Sequence, residues 1–173
     1  MKTCWVIADG FTSPLMTPEH LKDVAPIWSS WRNWREWRVD NVVAYDLEST
    51  QGLVKQGIQN SCNFFTRFAH YEAVGKPEKV NVYEGSFTDD FAKPEDIVAM
   101  HLANHHDLVL LLGFDVSQNT DYTAAFRETI KQYPKTQWVL IDHKADLDPS
   151  LTELANLTCD KFQNVLALFR VQQ

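Results

Sequence analysis

Short apolar runs, separated by stretches long enough for helices, set the main limit on what this chain can fold into. Six such runs occur: CWVIA at 4–8, NVVAY at 41–45, KVNVY at 79–83, DLVLLLGF at 107–114, TQWVLID at 136–142 and NVLALF at 164–169. Several are apolar at consecutive positions rather than at every second one. A strand with one wet face alternates, whereas a strand covered on both faces by helices does not. The repeated order of strand and helix predicts an α/β domain over 1–173. Its architecture is a three-layer, doubly wound, mostly parallel sheet of about six strands, Rossmann-like in kind.

The intervening segments carry helix signals. In STQGLVKQGIQNSCNFFTRFAHYE, 49–72, the residues Leu53, Val54, Gly57, Ile58, Ser61, Cys62, Phe65, Phe68 and Ala69 share one face at helical spacing. Ser49 or Thr50 caps its start, and GKP at 75–77 stops it. A second helix opens at Pro94, whose fixed φ and missing N–H suit a first turn, and runs through EDIVAMHLANHH. NTDYTAAFRETIKQY, 119–133, is a third, ended by Pro134, and DPSLTELANL, 148–157, is a short fourth.

WSSWRNWREWR, 28–38, has tryptophan at every third position and an arginine after three of the four. At ~100° per residue those rings spread over roughly half of a helix surface. The spacing predicts an amphipathic helix over 27–38, with Ser29, Arg32, Asn33 and Glu36 on the opposite side. Such a face packs in a core, forms a partner contact such as a homodimer, or stacks on nucleic acid or membrane. Charge weighs against the last two. The chain carries a net charge of -7, and its Lys and Arg are scattered. An acidic surface is repelled by phosphate, so nucleic acid is disfavoured as a partner.

Composition bounds the rest. The 173 residues are 45% hydrophobic and 23% charged, which is ordinary for a globular domain. Cys4, Cys62 and Cys159 are odd in number and far apart in sequence, so neither a disulfide framework nor a Cys-x-x-Cys metal pair is expected. The apolar run at the start is too short for a signal peptide, and no run approaches a membrane span. The expectation is a soluble protein of a reducing compartment, the cytoplasm.

In an open parallel sheet, ligands bind beyond the carboxyl ends of the strands, where the strand order reverses. The segments expected there are DGFTS (9–13), DLEST (46–50), EGSFTDD (84–90), GFDVSQN (113–119) and DHKAD (142–146). Each holds an early carboxylate: Asp9, Asp46, Glu84, Asp115 and Asp142. Carboxylates at one edge bind a divalent cation such as Mg, act as acid, base or nucleophile on a glycosidic bond, or accept from ribose hydroxyls. Asp also follows strands simply because it suits turns and caps. Asp9, Asp115, Asp142 and His143 are the candidate catalytic residues. Gly10, Thr12, Ser13, Asp46, Ser49, Glu84, Gly113 and Ser117 are the candidate ligand contacts. Asp9 and Asp115 are expected to share an edge at the switch point. No G-x-G-x-x-G, Walker-type or G-x-S-x-G motif occurs, which argues against a standard dinucleotide site, a P-loop and an α/β-hydrolase elbow. HLANHH sets His101 and His105 four apart, a zinc-compatible spacing without the H-E-x-x-H base. Histidines at a helix end also suit the dipole alone, and no metal site is assigned to them.

LVLLLGFDVS, YPKTQWVLIDH and the closing NVLALF resemble uncharacterised small α/β proteins of tailed bacteriophages. The resemblance covers about the last seventy residues and carries no functional residue. It implies a Rossmann-like fold and a place in the host cytoplasm. Two functions stay open. One is binding of a nucleotide, nucleoside or sugar-like small molecule, with transferase or hydrolase chemistry by edge carboxylates. The other is a non-catalytic accessory role through the Trp-rich stretch.

Overall fold

The structure, a computed structural model, describes residues 1–8, 24–30, 39–84, 93–116, 120–141 and 147–170. Among them the order is β1 (Thr3–Ile7), β2 (Ile27–Ser30), β3 (Asn41–Val43), α1 (Leu47–Lys55), a 3-10 turn (Ile58–Asn60), β4 (Asn63–Arg67), α2 (Phe68–Ala73) and β5 (Val80–Tyr83). There follow α3 (Pro94–Ala103), β6 (Leu108–Leu112), α4 (Asp121–Gln132), β7 (Gln137–Ile141), β8 (Leu157–Asp160) and α5 (Phe162–Arg170). The strands form one sheet in the order β5-β4-β3-β2-β1-β6-β7-β8. Every pairing is parallel.

Successive side chains of a strand point to opposite faces, and both faces here are covered. Cys4, Val6 and Ala8 of the β1 segment face one side, with Trp28, Val109, Leu111 and Trp138, under Val98 and Met100 of α3 and Phe126 and Ile130 of α4. Trp5 and Ile7 face the other side, with Leu110, Leu112 and Ile141, against Val165 of α5. Val42, Ala44 and Phe64 lie against Leu53 of α1 and Ile58. The doubly wound α/β class is therefore as the apolar runs imply, with eight strands among the described residues rather than six.

Four element assignments are corrected. Ile27–Ser30 is not the start of a helix but a strand between β1 and β3, with all four residues buried. Trp28 packs against Phe65 (ring centroids 5.1 Å apart) and His105 (6.1 Å). The Ser29 hydroxyl donates to the Ile7 carbonyl at 2.9 Å. Pairing on both sides outweighs a three-residue Trp spacing that extends into 31–38, outside the described residues. The single helix expected over 49–72 is broken. Gly57, at φ 73, adopts a left-handed conformation that ends the helical path, and NFFTR becomes β4. Phe64 and Phe65 face opposite sides of the sheet, and both pack, which imitates a helical stripe in sequence.

The two remaining corrections lie at the C-terminal end. DPSLTELANL forms turns that lead into β8 at Leu157 rather than a helix. NVLALF lies in α5 rather than in a strand. Such short apolar runs do not separate the two by periodicity alone.

Candidate functional site

β1 lies between β2 and β6, and the chain builds outward from it in both directions. That is a topological switch point, where the connections on its two sides diverge and leave a crevice at the carboxyl edge. The Ala8 N–H donates to the Leu112 carbonyl at 2.8 Å, so β1 and β6 end together. Gly113 then turns the chain out of β6 at φ 77, a conformation that side chains disfavour. Phe114 goes down into the core and Asp115 stays exposed.

α3 covers β1, β2 and β3. Its N-terminus brings carboxyl groups to the same edge, since crossover helices begin where strands end. Pro94 sets the first turn, and Glu95 and Asp96 follow it, only 3% and 2% exposed. Acidic groups there meet the positive end of the helix dipole. The Tyr122 hydroxyl, from the first turn of α4, donates to Asp96 Oδ2 at 3.2 Å. The Tyr122 ring stacks on Phe114 with centroids 6.4 Å apart. Asp96 is thereby tied to the segment that leaves β6.

Aromatic and charged groups continue toward β5 on the α3 face. The Tyr83 hydroxyl donates to the Ala44 carbonyl at 2.9 Å. The Arg67 guanidinium lies over the Tyr45 ring, 4.9 Å from its centroid. Burial pushes the Tyr83 phenol far above its usual range; Arg67 opposes the rise, while Tyr45, Glu95 and Asp46 add to it. Tyr83 is thus a fixed hydrogen-bond donor. Ser30, at the end of β2, is 1% exposed, and among the described residues its hydroxyl has no hydrogen-bond partner. Alternation along β2 puts it on the Trp28 face, the face that α3 covers.

The sequence candidates divide accordingly. Gly113 and Asp115 stand at the switch point. Asp46 and Ser49 follow β3, two strands from β1, and Asp46 caps α1, its two oxygens accepting from the Ser49 N–H at 2.7 Å and the Ser49 hydroxyl at 2.8 Å. Glu84 is exposed after β5, with three strands between β5 and β1. Asp9, Gly10, Thr12, Ser13, Ser117, Asp142 and His143 lie outside the described residues.

The HLANHH histidines are spent on local bonds. His101 bonds Tyr133 Oη at 2.8 Å and Thr129 Oγ1 at 3.2 Å, and burial holds its pKa below the usual value. His105 and His106 bond the Leu102 and Ala103 carbonyls.

Comparison with family models, curated proteins and solved structures gives no match to this chain.

Glu95, Asp96 and Tyr122 are the residues near the switch point that sequence reasoning did not single out, while Arg67 and Tyr83 lie further along the same face, on β4 and β5. A signal existed in Pro94-Glu-Asp, an acidic first helical turn placed at the carboxyl edge. It reads as a dipole-matched solvated end unless the helix is known to be buried around its whole girth. Chemically, the edge offers carboxyl acceptors and aromatic faces, the Tyr122 and Tyr83 hydroxyl protons being given to Asp96 and to the Ala44 carbonyl. That set suits a polar ligand with hydroxyl or amino groups more than a bare anion.

Proposed function

We propose that the protein binds a small polar ligand of nucleotide, nucleoside or sugar type at the carboxyl edge beside β1 and β6. Transfer or hydrolysis assisted by carboxyl groups is the chemistry that goes with it. The observation that carries this reading is the strand order, which sets the switch point between β1 and β6. Support comes from what surrounds that point: Asp115 and Gly113 after β6, and the Asp96–Tyr122 pair under the start of α3. In this reading Asp9, Asp142 and His143 complete the group from the ends of β1 and β7.

A thermal-shift panel of nucleosides, nucleotides and free sugars, each with Mg and with EDTA, tests it. A ligand that binds only the folded state at a hundred times its Kd adds about 2.7 kcal/mol, a rise readily seen in Tm. The expected result is a rise for at least one nucleoside or nucleotide. Asp115→Asn abolishes that rise, read against the variant's own ligand-free Tm. No shift across the whole panel, or a shift indifferent to Asp115→Asn and Asp96→Asn alike, sinks the reading.

The second reading is a non-catalytic interaction protein. The burial of Trp28 takes that ring off any contact face. Exposed apolar side chains elsewhere favour a partner surface nonetheless, at the outer corner around β5.

A further inference from the structure

We propose that the outer edge of β5 pairs antiparallel with β5 of a second copy, giving a twofold dimer whose sheet runs on from one subunit into the other. This does not depend on the ligand reading. Among the described residues β5 ends the sheet and pairs only with β4. In a parallel ladder every second residue of β5 turns its N–H and C=O away from β4, so the outer edge can template a further strand.

Exposed apolar side chains gather at the same corner. Apart from Met1, those among the described residues are Leu47, Phe68 and Val82, which are 37%, 45% and 43% exposed. Leu47 opens α1 just beyond β3, Phe68 opens α2 directly after β4, and Val82 lies near the end of β5. These three strands are neighbours, and α2 packs on β4, β5 and α1. β8, the strand at the other end of the sheet, has no exposed large apolar residue.

Charge selects a second copy in antiparallel sense. Lys79 precedes β5 and Glu84 follows it; both are exposed, and neither is in an ion pair among the described residues. Lys76 nearby is already compensated by Glu72 at 3.5 Å. A parallel copy would set like charges side by side. Antiparallel pairing puts the basic start of each strand beside the acidic end of the other. Residues facing each other across a ladder lie on one face of the sheet, so a twofold axis sets a residue against its own counterpart, and the two registers centred on β5 pair Asn81 with Asn81 or Val82 with Val82. In either register Lys79 of one copy falls within one residue of Glu84 of the other. The Val82 register also covers Val82 with its own counterpart.

Sedimentation equilibrium of the full chain tests this, with far-UV circular dichroism to confirm that each variant is folded. The wild type is expected to be dimeric and Val82→Asp monomeric. Lys79→Glu should raise the dimer Kd at least about tenfold by setting carboxylates against each other, and Lys79→Glu combined with Glu84→Lys should restore it. The charge pair keeps the test open even if Val82→Asp fails to fold. A wild type still monomeric at about 100 µM, a dimer too weak to matter at that concentration, overturns the proposal. So does a dimer that folded Val82→Asp leaves intact, or a double charge exchange no tighter than the single one.

Discussion

Asn156 shows how much of a loop one amide can hold. Its Nδ2 lies 3.1 Å from the Ile130 carbonyl, 3.0 Å from that of Tyr133 and 3.2 Å from that of Thr136. Those carbonyls mark the end of α4 and the turn into β7, so one side chain fastens three points of a connection. Asn156→Asp keeps the shape but sets a carboxylate oxygen against three acceptors. A loss of about 2–3 kcal/mol is expected in urea unfolding, above the cost of an ordinary surface change. His101 makes a pH prediction. Burial lowers its folded pKa below the ordinary 6.5, and His106 is lowered likewise, by burial first. The unfolded chain then takes up protons more readily than the folded one. Stability contributed by these groups is present above pH 6.5 and is lost as pH falls toward the lower folded values. The urea midpoint should drop between pH 8 and about 5.5, before ordinary carboxylates titrate, and His101→Gln should remove part of that slope. An unchanged slope in the variant would leave His101 no part in it. None of this was legible in sequence, because a histidine near a helix end looks alike whether it meets solvent or the Tyr133 and Thr129 hydroxyls.

At the scale of elements, legibility followed the strength of local signals. Pro94 at a first turn and Pro134 after Tyr133 bracketed α3 and α4 within a few residues. The runs at 4–8, 107–114 and 136–142 each held a central strand. Failures came where two patterns overlap. NFFTR packs on both faces and so filled a helical stripe, while Gly57, the residue that breaks the helix, was read as a small residue within it. β2 is buried by its neighbours on both sides, and nothing local in IWSS announces that. Asp46 and Ser49 illustrate the ambiguity of carboxylates at strand ends, since residues expected to meet a ligand also form a helix cap. Asp46→Ala should cost about 0.5–2 kcal/mol of stability, the usual loss for a cap. It should leave any ligand-induced rise in Tm unchanged. A selective loss of that rise at unaltered stability would return Asp46 to the site.

For the molecule as a whole, the α/β class followed from apolar runs, but the strand order that positions the site did not. Parallel pairing is fixed by contacts between residues far apart in sequence, such as Val6 with Trp28 on one side and Leu111 on the other. That order also bears on how the protein unfolds. One apolar cluster on the α3 and α4 face draws on every strand, from Tyr83 of β5 through Phe65, Val43, Trp28, Val6, Leu111 and Trp138 to Leu157 of β8. A packed layer of that kind couples the two halves of the sheet across the switch point, so neither half has a core of its own on this side. Tryptophan emission and far-UV ellipticity should therefore report a single coincident urea transition, as expected of one cooperative domain. Trp138 is fully buried in that layer. Trp138→Ala should cost about 3–5 kcal/mol, the range for removing a large core aromatic. It should shift both signals equally, although Trp138 sits toward the β8 end. Two separated transitions in the variant, with β1 to β5 outlasting β6 to β8 in hydrogen exchange, would mean that the halves fold independently and that the crevice between β1 and β6 is a seam rather than a site within one rigid sheet.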